Sequence, residues 1–450
     1  MNKEIEDFVR GLHLDAYLVG GAVRDELLGR ESKDADFVVP GVDYEGLRTA
    51  LEPHGKVEEL EVAGRRVGAR LHPRDRKLRL LAPAGIEFAP PRTERSTGPG
   101  RHDFEIVAAP DLSIEDDMGR RDFTVNAMAR RLETGEMVDP FGGAGDLKNR
   151  VLRTVRPRSF AEDPLRLVRG LRLVSQLGLE PDAETLEQMR AEAASVALVS
   201  GERVGGGLGS DGMGELSKLL LGAEPARALR LARDTGVLTA LLPEFEQAIG
   251  FEQDSERQNL PLDEHIFAVV QAAADAGAPL AVRLGALFHD LGKPRANGNH
   301  ADRGAKLTAA AMRRLRYPTS LRTHVTRLVS AHAFPLDDVD ELFARRMLRA
   351  HGDELAFDLA AHKEADLRGK QVPQSELDAV ARLHDLLEQQ RVQPHRRADL
   401  AVDGSDLIAL GYGEGPELGA ALDELLDAVV DDPELNTRDR LLERARARLS

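Results

Sequence analysis

The sequence predicts an α+β chain, in which a small α/β head is followed by segments built of helix. Three observations predict it. Strand-like runs (YLVG, ADFVV, KLRLLA, GIEFAP, FEIVAA) occur before about residue 150 and alternate with helical patterns around Glu26 and Tyr44 to Leu51. From about Ser159 onward the apolar spacing becomes helical, with Leu165, Val168, Leu171, Leu173 and Val174 on one stripe and similar spacing in 225–242, 264–290, 303–317, 340–363 and 375–390. Breakers separate these stretches: Asp139-Pro140-Phe141-Gly142-Gly143 closes the α/β part, Gly201 to Gly214 reads as glycine-rich and poorly structured, and Phe251 to Pro261 and Gln393 to Asp403 read as connectors. The expected domains are therefore residues 1–150, 151–250, 251–392 and 393–450.

A chain of 450 residues exceeds what one hydrophobic core usually supports, so several domains are expected. The lack of cysteine excludes disulfides and thiolate metal sites, and fits a reducing cytoplasm. No signal-peptide pattern and no long uncharged apolar run is present, so no membrane partner is expected. The best spanning candidate, Ile266 to Phe288, contains Asp275 and Arg283 and reads as buried helix. The formal charge of −16 argues against nucleic acid only if charge is evenly spread. Arginines crowd Arg65 to Arg79, Arg92 to Arg101 and Arg150 to Arg172, whereas acids dominate after Asp399, so a basic front half can hold RNA locally.

The first motif is GGAVRDELLGRESKDAD, residues 20–36. Asp34 and Asp36 alternate on a segment that reads as a strand, which turns both carboxylates to one face. Two converging carboxylates repel each other unless a cation or proton lies between them, and an all-oxygen site suits Mg²⁺ with substrate phosphates. Gly20 and Gly21 let a backbone approach a ligand closely, and Arg24 offers donors to phosphate oxygens. The string resembles the nucleotidyltransferase signature of bacterial CCA-adding enzymes and poly(A) polymerases, the class II tRNA nucleotidyltransferase family.

Later motifs extend the resemblance in order. Glu87 in GIEFAPPRTER matches the family's third carboxylate, with Glu94 as the alternative; the two prolines before Arg92 depart from the family pattern. RRDFTVNAMA, residues 120–129, reads as a turn entering a helix that Asp122 can cap. It is similar to the family motif whose arginine, aspartate and asparagine, here Arg121, Asp122 and Asn126, contact triphosphate and ribose. In AEDPLRLVRGLR, Pro164 suits a first helical turn, which places Asp163 and Arg166 at i and i+3 with Arg169 beyond. An acceptor beside a planar donor fork can read a base edge without a template. The resemblance makes Asp163 and Arg166 the nucleotide-selecting pair, Arg169 a triphosphate ligand and Glu162 a support for Arg166. ERVGGGLGSDGMGELSKLL resembles the next family helix with a glycine-rich insertion, and Arg203 and Lys218 receive no role.

A second constellation resembles the HD phosphohydrolase superfamily. His289 and Asp290 are adjacent in LGALFHDLGKP, His265 lies one helix earlier, and His300, His332 and Asp366 follow. Imidazole and carboxylate together suit one divalent metal, with Mn²⁺, Ni²⁺, Co²⁺ and Mg²⁺ all compatible.

The resemblance thus implies an α/β nucleotidyltransferase head, a helical neck that selects the nucleotide, an HD-type helical body and an acidic helical tail. It implies addition of CCA to tRNA 3′ ends from CTP and ATP with two Mg²⁺ at Asp34 and Asp36. Poly(A) polymerase, a partial CC- or A-adding enzyme, a chain that is mainly an HD phosphohydrolase, and a silent RNA-binding module are the alternatives. The oligomeric state stays open.

Overall fold

The structure, a computed structural model, describes residues 1–30, 35–62, 64–96, 104–206, 213–253, 260–295, 299–370 and 372–449. Asp34 lies outside the described residues, as do 207–212 of the glycine-rich stretch and 254–259 of the polar connector. The chain forms two compact units, residues 1–246 with 312–317 and residues 247–311 with 318–450.

The first unit carries the strands β1 (Tyr17–Val19), β2 (Asp36–Val38), β3 (Gly55–Val62), β4 (Arg65–Pro73), β5 (Ile86–Ala89), β6 (Arg92–Ser96), β7 (Phe104–Ala108), β8 (Ala129–Arg131), β9 (Met137–Val138), β10 (Val151–Leu152) and β11 (Glu180–Pro181). Seven of them form one mixed sheet in the order β3-β4-β5-β2-β1-β8-β9, and β6 with β7 and β10 with β11 form two small pairs. The apolar runs in AYLVG and ADFVV become β1 and β2, central antiparallel neighbours whose Leu18, Val19, Phe37 and Val38 are buried. Phe37 opposes Phe88 of β5, and the two rings stack with centroids 5.5 Å apart.

That parallel register also sets Asp36 opposite Glu87, while the antiparallel register of β4 sets Arg70 opposite Glu87. Three charged residues therefore form a row across three strands on one face of the sheet. Glu94 is placed instead on β6 of the separate two-stranded pair.

RRDFTVNAMA does not enter an α-helix. It makes one 3-10 turn, Thr124–Asn126, because β8 begins at Ala129 and leaves no room for more. Among the described residues between 151 and 246, the elements are helices apart from the two-residue β10–β11 pair. The helix Leu165–Leu177 buries the predicted stripe and stops at Gly178, whose φ of +64° suits a residue without Cβ.

The described part of the glycine-rich stretch includes regular structure at its start. Glu202–Gly206 forms a π-helical turn, and a Cβ on Gly205 would stand 2.6 Å from the Leu315 carbonyl oxygen. Glycine here permits close backbone approach, which composition alone reads as disorder.

In the second unit, two apolar stretches each divide into a helix pair. Residues 264–290 give Leu262–Asp275 and Leu280–Phe288, parted at Gly277 and Pro279, so Ile266 to Phe288 is not one helix. Residues 340–363 give Glu341–His351 and Asp353–Arg368, parted at Gly352 with φ +77°. Among the described residues no helix is long and apolar enough to cross a membrane.

The stretch from Gln393 to Asp403 is pinned rather than loose. Asp399 accepts from the backbone amides of His395 and Arg396 at 3.1 and 2.8 Å, and His395 Nε2 lies 2.7 Å from Asp353. Part of the acidic charge beyond it is met internally, since Arg349 pairs with both Asp423 and Asp427.

Candidate functional site

In the first unit a cavity of about 680 Å³ is lined by Gly20, Gly21, Arg24, Asp36, Glu87, Arg121, Asp122, Asn126, Asp163, Arg166 and Arg169. Every described residue expected at the first site is therefore gathered there. Among the described residues, nine basic side chains face four acidic ones around this cavity, an excess that suits a polyanion of triphosphate charge.

Four of these residues form one hydrogen-bonded chain. Arg24 Nη1 donates to Asn126 Oδ1 at 2.7 Å, Asn126 Nδ2 donates to Asp122 Oδ1 at 3.0 Å, and Arg169 Nε donates to Asp122 Oδ2 at 2.7 Å. Because arginine only donates and carboxylate only accepts, the network fixes which way the Asn126 amide faces. Burial raises the Asp122 carboxyl pKa, but Arg169 and the Asn126 hydrogen bond outweigh it and hold it far below the usual range.

Asp122 thus contributes stability that is present above the ordinary carboxylate pKa of about 4 and lost as pH falls through its lowered folded value. Asp122→Asn should be clearly less stable than wild type at pH 7, with the gap narrowing steadily below about pH 4. Urea unfolding at a series of pH values checks this; a gap that stays constant into acid contradicts it.

Gly20 is demanded by geometry. Its φ is +69°, and a Cβ would stand 2.5 Å from Arg121 Nη1. Gly21 opens the helix Gly21–Leu27, where a Cβ would meet Arg24 Nη2 at an ordinary 3.5 Å, so sterics require only the first glycine. Arg121 reaches Asp117 Oδ2 and the Asn126 carbonyl at 3.4 Å each, and its buried Nε has no hydrogen-bond partner.

Asp163 and Arg166 do not form a mutual pair. Asp163 is extended, with φ −143°, just before the helix Leu165–Leu177, and its carboxylate takes a bidentate pair from Arg203 at 2.8 and 3.2 Å. Arg166 is buried, donating to Ser159 Oγ at 2.9 Å and to the Arg120 carbonyl at 3.0 Å, with Glu162 at 3.5 Å. The two are held side by side from different directions, which presets the spacing of an acceptor and a donor fork.

Arg203 is thus a site residue to which sequence reasoning gave no role. The ER dipeptide before the glycines was its signal, and the insertion obscured it. Glu215 and Asp117 were also missed. Glu215 Oε2 lies 3.1 Å from Arg172 Nη1, and Asp117, wholly buried, anchors Arg120 at 2.7 Å. Neither carries a motif of its own, because each acts only through arginines brought to it by the fold.

Asp36 and Glu87 share the cavity wall, and Arg70 donates to Glu87 Oε1 at 2.5 and 3.0 Å. Two carboxylates on one sheet face form an oxygen donor set that fits Mg²⁺.

The second unit brings its own candidates together. His265, His289 and Asp290 have ligand atoms within 4.8 Å of one another, as do Asp290, His300 and His332. Asp366 joins them, its Oδ1 3.3 Å from His265 Nε2 and 3.7 Å from His289 Nε2. His289 Nδ1 lies 2.9 Å from the Ala286 carbonyl oxygen, His332 Nδ1 2.7 Å from that of Val329, and His265 Nδ1 3.3 Å from that of Gly369.

A carbonyl can only accept, so each Nδ1 carries a proton and Nε2 is the ring nitrogen turned toward the cluster. The Nε2 atoms of His265 and His289 then face each other at 3.3 Å beside two carboxylates, and buried Asp366 Oδ1 makes no hydrogen bond. Ring nitrogens and carboxylate oxygens converging in this way fit a divalent cation with mixed nitrogen and oxygen ligands. Burial lowers the His265 pKa, but Asp290 and Asp366 reverse this and raise it; in His289 burial prevails and the pKa falls.

His362 was missed. Its ring sits edge-on to those of His289 and His332, with both nitrogens buried and unpartnered. Its signal was the i, i+4 spacing to Asp366 in HKEAD.

Comparisons with known proteins follow this division. Residues 16–153 match the poly A polymerase head domain, 178–249 the RNA and SrmB-binding site of polymerase A, and 305–445 the tRNA nucleotidyltransferase domain 2 family. The multifunctional CCA protein of Ralstonia nicotianae is 37% identical over 336 residues, 71% of this chain and 72% of that protein. That of Leptothrix cholodnii is 35% identical over 439 residues, 92% of this chain and 96% of that protein. Among solved structures, the Bacillus stearothermophilus CCA-adding enzyme in complex with CTP aligns with a TM-score of 0.68 and 25% identity, covering 99% of this chain and 97% of that one. The Thermotoga maritima CCA-adding enzyme complexed with tRNA, at 0.57 and 20% identity over 99% of this chain and 94% of that one, shares the fold. With identity of this level over nearly the whole of both chains, the chain belongs to the family of multifunctional CCA proteins, the class II CCA-adding enzymes.

Proposed function

We propose that the chain adds C, C and A to tRNA 3′ ends from CTP and ATP without a template, in a cytoplasmic setting. The observation that carries this is the convergence, in one arginine-rich cavity, of residues as far apart in sequence as Gly20, Glu87, Asn126 and Arg169. Gly20, Gly21, Arg24, Arg121 and Arg169 hold the triphosphate, and Asp122 and Asn126 position the ribose. Asp163 and Arg166 read the base edge, and Arg203 positions Asp163 for that task.

Asp36 and Glu87, with Asp34, would hold two Mg²⁺. When bound, these supply the charge that activates the RNA 3′-hydroxyl and stabilises the pyrophosphate leaving group. The residues around them bind and orient, so in-line positioning of hydroxyl and α-phosphate is the main work of the chain.

Tailless tRNA should take up C from CTP alone and the complete CCA from CTP with ATP. Elongation of any RNA by ATP alone would instead mark a poly(A) polymerase. Asp163→Ala should keep triphosphate binding yet lose selectivity, with incorporation of C relative to U falling by about tenfold or more, since a base-reading hydrogen-bond site discriminates at that scale. Unchanged selectivity by single-nucleotide incorporation would make that carboxylate a purely structural partner of Arg203.

A second activity is favoured by the histidine cluster. His265, His289, Asp290 and Asp366, with His300 and His332, would hold a divalent cation, which when bound lowers the pKa of water for attack on a phosphate ester. Lys293 and Lys370 fix the carboxylates, each at 2.6 Å from Asp290 and Asp366 respectively.

A further inference from the structure

Beside the histidine cluster lies a cavity of about 640 Å³ whose wall includes Phe334, Lys363, Asp366, Lys370, Val372 and Glu376. Its size falls within the range of small-molecule sites, and Asp366 belongs to both the cavity and the cluster. Lys363 and Asp366 are i and i+3 on the helix Asp353–Arg368, and Lys370, just past its end, reaches back to Asp366, so both lysines stand on the side of the shared carboxylate.

The two lysines differ in what they already hold. Lys370 donates to Asp366 Oδ2 at 2.6 Å. Lys363 makes no ion pair or hydrogen bond among the described residues; its Nζ stands 4.7 Å from the centroid of the Phe334 ring. Burial pushes the Lys363 ammonium below its ordinary pKa. A half-buried cation that stands over an aromatic face without a direct ion pair, at the mouth of a phosphoester site, has donors to spare for an anion. Phe334 and Val372 supply an apolar wall, and Glu376 an acceptor suited to a ligand hydroxyl.

We propose that this cavity is the substrate pocket of the second site, in which Lys363 grips the phosphate of a nucleotide-sized phosphate ester whose organic part lies against Phe334 and Val372. The proposal rests on the hydrolytic reading of the histidine cluster. It makes Lys363 a binding residue that selects phosphate esters, with the reacting bond beside Asp366.

The test uses the full chain charged with Mn²⁺ and a nucleoside 3′-monophosphate as probe, followed by phosphate release and by titration calorimetry. Lys363→Met keeps the stem and removes the charge, and should raise KM and Kd by about tenfold to a hundredfold, the scale of a charge-assisted hydrogen bond, with kcat within about twofold. Lys363→Arg should recover most of the affinity. The first cavity is lined by the other compact unit, so the difference between wild type and Lys363→Met reports the second cavity. Hydrolysis with unchanged KM and Kd in Lys363→Met overturns the pocket assignment and leaves the hydrolytic reading standing. No hydrolysis by wild type, with binding still weakened in Lys363→Met, removes the hydrolytic reading and with it the substrate role, leaving a binding pocket only. Neither hydrolysis nor Lys363-dependent binding overturns both.

Discussion

Asp36→Ala should abolish nucleotide incorporation, by on the order of a thousandfold or more, while the protein remains folded. The magnitude follows from the several kcal/mol of transition-state charge stabilisation that a metal site supplies, each 1.36 kcal/mol being tenfold in rate. Asp36 opens β2 with its side chain exposed to the cavity, so the truncation removes no core packing. The hydrophobic contacts on either side of it, Phe37 with Phe88 above all, stay intact. Single-turnover incorporation of labelled CTP into tailless tRNA, alongside a thermal melt, separates lost chemistry from lost fold. Phosphate release by the second site should be unaffected, since Asp36 lies outside that unit.

Asp290→Asn should produce the opposite pattern: no hydrolysis, loss of the bound divalent metal, and normal incorporation. Asp290 lies 3.1 Å from His289, 3.5 Å from His265 and His300, 3.6 Å from His332, and 2.6 Å from Lys293. It is the one carboxylate shared by both ligand triads, so neither triad survives its neutralisation. Asparagine keeps the volume and a carbonyl oxygen, avoiding the cavity that alanine would open in a buried cluster. A fall in hydrolytic rate of on the order of a thousandfold is expected, with metal stoichiometry dropping in parallel. Retained metal with lost hydrolysis would show that the ligands lie elsewhere among these side chains.

The halves of the molecule differ in how much their sequence revealed. The short apolar runs in AYLVG and ADFVV were enough to place β1 and β2, and the helical stripe around Val168 was enough for the helix Leu165–Leu177. The strand order was not legible. Nothing in GIEFAP says that β5 is the parallel neighbour of β2; the family resemblance singled out Glu87, and its register with Asp36 is seen only in the fold.

Local periodicity also overran helix ends, joining Leu262–Asp275 to Leu280–Phe288 across a left-handed glycine because the apolar phase continues through it. Residues that act through others were the least visible. Arg203 and His362 carried only short local signals, and their roles depend on partners that only the folded chain supplies: Asp163 across 40 residues, and the rings of His289 and His332. Asp163 and Arg166 stand at i and i+3 at the start of the helix, where Asp163 Oδ1 accepts from the Leu165 amide at 3.1 Å, and what spacing did not reveal is the separate partner that holds each of them, Arg203 for Asp163 and Ser159 for Arg166.

The central claim is that the sheet face bearing Asp36 and Glu87 holds the cations and triphosphate of the transfer reaction. A crystal of the protein grown with Mn²⁺ and CTP, with the cations located by anomalous scattering, tests it most directly. The account predicts manganese against the oxygens of Asp36, and the triphosphate among Arg24, Arg121 and Arg169. Manganese absent from that face, with the nucleotide's phosphates bound elsewhere on the chain, would contradict it.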